Sequence, residues 1–538
     1  MPWLTLLVVL PLVGAVVVLG LRRVPGAARA AALLFSVAEL CLTIVVATRF
    51  STTGGQYQLG ERYGWISSFG LSWALGLDGI ALALVALTAV ITPVVVAAGW
   101  RDSDRPAGAT DDGVATPASG VGATRAATGG RAATGGGGGF LACILVTESM
   151  LVGAFLAVDV LMFYILFEAM LIPIYIMIGV YGGPRRAQAA TKFLLYNLFG
   201  GLVMLAAVIG LYVTSRHGGR PGTFMLRDLV ALGVPTSTQY WLFIGFMIAF
   251  AIKAPLWPFH TWLPDSAEAT SPAGAAYLSG VVDKVGTFGM IHLVLPLFPE
   301  ASRRLAPVVV VLAVISIVYG AVLAIAQRDM QRFVACTSIS HFGFIVLGIF
   351  ALTTQGGTGA TLYMVNHGLS TVLLFLVVGY AASRRGSRDW RDSGGLAIRA
   401  PLLAGCFLIA SLASLSLPGL ATFVSEFLVL VGTYTRYPAA AIVATVAIVL
   451  AAVYALLMYQ RVFTGPAGPR LAGVRDLRGR ESLVVAPLVV LLLVLGFYPR
   501  PLADVVDHGV TPTLTQTGVA DPRPAVPLAV GRTPGGSR

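Results

Sequence analysis

Long apolar runs separated by short arginine-bearing segments dominate the chain, at roughly 3–21, 30–49, 77–99, 140–158, 159–181, 188–214, 239–261, 272–297, 305–327, 333–352, 359–382, 401–433, 438–463 and 482–499. A run of ~20 apolar residues, rising ~1.5 Å per residue as a helix, crosses a hydrocarbon layer ~30 Å thick. The pattern therefore predicts an all-α polytopic membrane protein with 14 transmembrane helices. Composition agrees: of 538 residues, 57% are hydrophobic and 11% charged, and the mean hydropathy is +0.84. A soluble chain carries about 25% charged residues.

The net charge of +12 does not indicate nucleic acid, because the arginines lie in short loops and not in a basic patch with interleaved aromatics. It reads as a topology signal. Loops after odd-numbered runs carry most of the lysine and arginine, so the positive-inside bias places them in the cytoplasm and both termini outside the bacterial cell membrane. The first run follows an uncharged start and reads as a retained span. Residues 101–139, with RAATGGRAATGG and a run of glycines, hold too few apolar side chains to fold and are expected to form a flexible cytoplasmic loop. A tail over 511–538, rich in Pro, Gly and Thr, is expected to be loose. The resulting division is a three-helix segment (1–100), that loop, two five-helix units (140–297 and 305–463), a last helix (482–499) and the tail.

Cys41, Cys143, Cys336 and Cys406 are scattered through apolar runs without CxxC spacing, so they predict neither an iron–sulfur cluster nor a disulfide framework. No nucleotide-binding glycine fingerprint, Walker motif or zinc-ligand spacing occurs either. Any redox cofactor belongs to a partner.

Against this background the charges inside the runs stand out. Lys253, in AFAIKAPLWPFHTWLPD, sits about 13 residues into its run, ~20 Å into the hydrocarbon. Burial of such a group costs ~2.5–3.5 kcal/mol on insertion scales, which makes it a functional candidate. The chain has only three lysines, Lys192, Lys253 and Lys284. A buried lysine can release and retake a proton, whereas arginine stays charged; the bland alternative for Lys253 is a structural ion-pair partner. Lys284 lies near mid-depth in the next run, with Tyr277, Gly280 and Thr287 on its helical face and Asp283 as a local counter-charge. Glu168, flanked by Leu, Phe, Ala and Met and one turn after Tyr164, needs a cation on a neighbouring helix, and Lys253 is the expected partner. His341 has Thr337 and Ser338 one turn before it, and His367 shares a face with Tyr363, Ser370 and Thr371. Each is a satisfied core histidine or a proton relay, and a series with buried lysines and carboxylates favours the relay. Glu426, eight residues past Pro418-Gly419, completes the row. Glu39, Glu148 and Asp159, nearer run ends or unpartnered, are left aside.

Prolines interrupt two of the runs. Pro255 and Pro258 follow Lys253, and Leu417-Pro418-Gly419 precedes Glu426, so helices 7 and 12 should both be broken. Each break falls in the fourth member of a five-helix set, spans 4–8 and 9–13. Tandem sets with an odd number of helices are inverted, and matched interruptions in inverted repeats point to a mid-membrane transport path. The backbone groups freed by the breaks should meet water, and the hydrated axis makes Lys253 tolerable.

With these residues in place, KAPLWPFHTWLPDSAEATSPAGAAYLSGVVDKVGTFG, the preceding DVLMFYILFEAMLIPIYIMIG and the following SISHFGF, NHGLS and LPGLATFVSEF resemble the antiporter-like proton-pumping subunits of respiratory complex I, relatives of the Mrp cation/proton antiporters. The likeness covers nearly every span. It implies a Glu168–Lys253 ion pair, Lys284 as central relay, His341 and His367 as connecting relays, and Glu426 as terminal proton site. It also implies no cofactor in this chain, with NADH, FMN, iron–sulfur clusters and quinone in partner subunits. A glutamate on the broken twelfth span, with no long lateral C-terminal helix, points to the type whose sisters are chains L and N. Those chains, other membrane-arm subunits and lipid are the expected partners, and proton translocation driven by NADH:quinone oxidoreduction is the expected activity. A free-standing Mrp-type antiporter subunit and a passive membrane anchor are the alternatives. The stretch after LPD reads SAEATSP here, a departure from the family that touches His260 and Asp265 as loop contacts.

Overall fold

The computed structural model describes residues 1–66, 70–100, 138–216, 222–392, 394–467, 471 and 473–522. Among them, twelve helices are long and apolar enough to cross a membrane, from Trp3–Gly20 and Pro25–Ala47 through to Arg480–Phe497. The chain is a multi-pass membrane protein. The two interrupted runs make the remaining apolar helices. Thr236–Lys253 stops at the lysine and a short helix, Trp262–Ala269, follows; Pro401–Ser414 and Ala421–Tyr434 flank the second interruption. Most of the expected loop at 101–139 and the tail from 523 onward lie outside the described residues.

One element departs from the expected all-α plan and another from the expected loose tail. Gln58–Ile66 and Leu71–Leu77 form an antiparallel hairpin ahead of the third span, pairing Glu61 with Leu75 and Tyr63 with Trp73. The first strand is polar and largely exposed and the second, though apolar and buried, is only seven residues long, so a scan for ~20-residue apolar runs registers neither. Beyond the last long helix, Arg500–Gln516 forms a further helix, which extends into the tail expected to be loose from 511. Val506, Gly509, Val510, Thr513 and Leu514 are its buried residues, an i, i+3, i+4 stripe that seats it on the bundle.

Short polar residues start many of the helices. Asp78 Oδ1 accepts from Ala81 N at 2.7 Å, Asp159 Oδ1 from Leu161 and Met162 N at 3.0 Å each, and Asp329 Oδ1 from Gln331 and Arg332 N at 2.9 Å each. Each carboxylate satisfies amide donors that the first helical turn leaves open. Asp159 is thereby a cap.

Burial sorts the helices into an inner and an outer set. Pro272–Leu297 and Met330–Phe350 are 100% buried and Thr354–Arg385 94% buried over their most apolar windows, whereas Arg480–Phe497 is 22% and Pro25–Ala47 28% buried. Outer helices show Leu195, Val311, Val446 and Val449 to the surroundings, as lipid-facing positions require. Lys284, His341 and His367 lie one on each of the three inner helices.

Candidate functional site

The inner helix that carries Lys284 is irregular in a useful way. Leu278–Val282 and Met290–Val294 are π-helical turns on either side of the α-helical Lys284–Gly289. Such turns misalign backbone groups and cluster at functional positions. Here the first leaves the Ser279 carbonyl free to accept from Lys284 Nζ at 2.5 Å. The lysine also lies 2.9 Å from His367 Nδ1 and over the Phe342 ring at 4.9 Å. What brings the two helices so close is glycine: a Cβ on Gly368 would fall 2.8 Å from the Gly280 carbonyl, and one on Gly280 2.3 Å from a Val372 methyl.

From His367 the polar groups continue toward Glu426. The His367 and His341 ring centroids are 5.3 Å apart and tilted by 52°, and His367 Nε2 has no hydrogen-bond partner. His341 Nδ1 lies 2.7 Å from the Tyr363 hydroxyl and Nε2 3.1 Å from Ser414 Oγ. Tyr363 in turn donates to Glu426 Oε2 at 3.0 Å, and Ser416 Oγ donates to the same oxygen. With the phenol proton committed to the carboxylate, the phenol oxygen accepts from His341 Nδ1–H, and Nε2 accepts from Ser414. Lys284, His341, His367 and Glu426 are all buried. Thr337 and Ser338, expected beside His341, instead donate to the Val334 carbonyl, and Ser370 donates to the His367 carbonyl. The hydroxyls that matter come from other helices, so same-face spacing missed Ser414 and Ser416.

Side chains satisfy several of the backbone groups that the breaks set free. Trp262 Nε1 donates to the Ile252 carbonyl at 2.9 Å and Trp257 N to Ser316 Oγ at 2.9 Å. At the second break Thr422 Oγ1 donates to Ala413 O at 2.5 Å, and Asn366 Nδ2 to Ala421 O at 2.8 Å. Ser416 there has φ 57°, a left-handed conformation that costs a non-glycine residue ~1–2 kcal/mol and that aims its hydroxyl at Glu426.

The other end is built differently. Lys253 is fully buried at the last position of its helix, its Nζ has no hydrogen-bond partner, and it sits over the Phe167 ring at 4.9 Å. Glu168 Oε1 likewise has none. The expected contact ion pair is therefore not formed, and the two charges act on each other only through space. Phe163, Phe167, Phe246 and Phe250 pack edge to face or stacked around this end. The Glu168 carboxylate occupies space that Gly201 leaves open: a Cβ there would fall 1.9 Å from Oε1, so the carboxylate would have to move. Asp283 is fully buried with both oxygens unpartnered, and its charge is felt by Lys253 and Lys284 alike. It belongs to the axis more than its sequence position implied.

His260 is buried against Tyr319, ring centroids 5.1 Å apart. Asp265 joins an ionic cluster with Lys192 Nζ at 2.7 Å and Arg332 Nη1 at 2.6 Å, and Arg332 also reaches Glu268 at 2.9 Å. Burial alone would raise the Asp265 carboxyl; the bonds from Lys192 and Arg332 hold it below the usual carboxylate range. Glu39 and Glu148, set aside from sequence, are both fully buried, with all four oxygens unpartnered.

The profile of the family described as NADH:quinone oxidoreductase/Mrp antiporter, TM, matches residues 157–451, the stretch that holds all six axis residues. This chain belongs to that family. Its relatives in the NADH:quinone oxidoreductase/Mrp antiporter family include the NADH-quinone oxidoreductase subunit M of Mycobacterium tuberculosis, 50% identical with 98% of this chain and 96% of that protein covered. That of Rhodobacter capsulatus is 33% identical, with 94% and 95% covered. Among solved structures, a chain of respiratory complex I from Thermus thermophilus superposes with a TM-score of 0.82 at 32% identity, covering 96% of this chain and 100% of that one. A chain of the Mrp complex from a Dietzia species gives 0.77 at 20% identity over 95% and 98%, a likeness of fold. Among the described residues no group of three or more His, Cys, Asp or Glu is placed to hold a metal ion.

Proposed function

We propose that this chain works as the M-type proton-translocating membrane subunit of a bacterial NADH:quinone oxidoreductase, in the cytoplasmic membrane with both termini outside. NADH, FMN, iron–sulfur clusters and quinone reside in partner subunits, and chains L and N lie beside it. Fourteen spans arranged as two inverted five-helix repeats supply the frame, with the breaks at 254–261 and 415–420 in matching places. The observation that carries the reading is the row of buried polar groups from Lys284 through His367, His341 and Tyr363 to Glu426.

In this reading Lys284 is the central proton holder. Its Nζ passes a proton to His367 Nδ1; ring rotation or a bridging water carries it on to His341, and the Tyr363 hydroxyl delivers it to Glu426. Glu168 differs from the other five in being half-buried, so a neighbouring subunit can reach it. Moving charge at Glu168 changes the field at Lys253, and through Asp283 the proton affinity of Lys284. Each charge moved against the field costs ~2.3 kcal/mol per 100 mV, which redox chemistry in the partners must supply.

The test is Lys253→Ala in the assembled oxidoreductase, with proton uptake followed in inverted membrane vesicles. Loss of uptake in a fully assembled complex is expected, and normal pumping would exclude the reading. Purification of the chain with flavin and iron–sulfur subunits separates it from a free-standing Mrp-type antiporter subunit, which would come without them.

A further inference from the structure

The second π-helical turn of the Lys284 helix, Met290–Val294, has no part in the axis just described, yet it places a histidine against a carboxylate. His292 Nδ1 lies 3.3 Å from Asp78 Oδ2, with the side chains 2% and 0% exposed. Asp78 divides its work between its two oxygens: Oδ1 caps the third span through Ala81 N, and Oδ2 has no hydrogen-bond partner. His292 Nε2, on the far side of the ring, is also without a partner. The ring is held flat by Phe288, stacked at 4.6 Å, and met edge-on by Tyr57 at 5.8 Å. We propose that His292 and Asp78 form a proton-exchange site at the outer end of the bundle, through which protons pass between the buried axis and the external water.

The chemistry needs only a proton. An imidazole that takes H⁺ at Nε2 becomes imidazolium; the ring closes the 3.3 Å gap, the Nδ1–H bond breaks as an O–H bond forms on Asp78 Oδ2, and the ring is left as its Nε2–H tautomer. The cycle repeats once Asp78 passes its proton to water and a ring flip returns the N–H to the Asp78 side. A structural cap explains Oδ1 and leaves Oδ2 turned to the imidazole, a second contact that capping does not need. The helix places His292 eight residues from Lys284, about 12 Å along the axis. Asp78 follows the hairpin between the second and third spans, and Leu297 ends the eighth; in the proposed topology both ends face outward.

The titratable groups facing the ring are Asp78 and Tyr57. On the packed Arg500–Gln516 helix, His508 bonds Gly54 O at 3.0 Å and Asp507 takes the Thr358 hydroxyl. Thr236–Lys253 packs there too, and its one lysine lies over Phe167.

The inference rests on the proposed translocating role, and its test keeps the two apart. In the assembled oxidoreductase, His292→Ala, His292→Gln and Asp78→Asn are compared for protons moved per NADH oxidised, with assembly followed on native gels. A fall of ~10-fold or more is expected in all three, since Asn keeps a capping oxygen but cannot carry the proton. Added imidazole should restore His292→Ala, where the removed ring leaves room, and not His292→Gln. Wild-type pumping by an assembled His292→Gln or Asp78→Asn variant, or failure of imidazole to rescue His292→Ala, would overturn the proposal. Were Lys284→Ala also to pump normally, the translocating role itself would fall.

Discussion

The two halves of the axis solve the problem of charge in a membrane by opposite means. From Lys284 to Glu426 every ionisable group has at least one hydrogen-bonding neighbour on another helix, and the sole step without a direct contact is between the two histidine rings. At the other end Lys253 lies over a phenyl ring with no hydrogen-bond partner, and its charge and that of Glu168 meet only through space. Hydrogen-bonded groups can hand a proton along, while unbonded charges in a low-dielectric pocket act at a distance with little screening. In the proposed function the first half is the one that conducts, and the second is suited to sense and transmit a change in field.

The largest expected effect comes at the point where the halves meet. Lys284→Ala removes both the proton holder and the group that feels Asp283, and should lower proton translocation by ~100-fold or more, read as proton uptake by inverted vesicles. Tyr363→Phe strikes the conducting half alone: it keeps the ring and removes the bridge between His341 and Glu426, for an expected loss of ~10-fold, below the range for a full acid–base group. An unaltered rate would show that protons bypass the phenol. Gly201→Val tests the sensing half, because its side chain collides with the Glu168 carboxylate. Overpacking of this kind costs ~1–3 kcal/mol, seen as a lower melting temperature of the purified assembly, and the displaced charge should slow pumping even where the complex assembles.

The smallest effect belongs to the ionic cluster outside both halves. Since Lys192 and Arg332 hold the Asp265 carboxyl low, its contribution to stability is present above the ordinary aspartate value of ~3.9 and disappears as pH falls through the depressed folded value. Asp265→Asn should flatten that acid limb of the melting-temperature profile and leave turnover at neutral pH near normal. Screening keeps the effect modest, since these side chains are about 30% exposed.

Much of the protein was legible in its hydropathy. The long runs became helices with boundaries shifted by a few residues, because a ~20-residue apolar stretch has few alternatives in a membrane. The interruptions at Pro255–Pro258 and Pro418-Gly419 were legible from a paired proline and a Pro-Gly step; one proline alone is not enough, since Pro11, Pro93, Pro307 and Pro487 lie inside unbroken helices. The hairpin at 58–77 and the helix Arg500–Gln516 were missed, for they lie on the bundle with mixed polarity and owe their order to what they pack against. At the site, the six ionisable residues stood out by cost alone. Their partners were only partly so: Tyr363 was noted on the face of His367 and not as the bridge from His341 to Glu426, Ser414 and Ser416 look like ordinary residues, and the close contact of Gly280 with Gly368 carries no charge to notice. His292 drew no attention beside an Asp78 more than two hundred residues earlier.

Sequence by itself determined which groups would be expensive to bury and where the helices could not continue, because both follow from single side chains and the local backbone. The tertiary structure decided which of those groups touch. It lined up Lys284, His367, His341, Tyr363 and Glu426 from separate helices, and it left Glu168 and Lys253 without a direct contact. Contacts of a few ångströms between distant segments depend on how whole helices pack, and no local pattern encodes that.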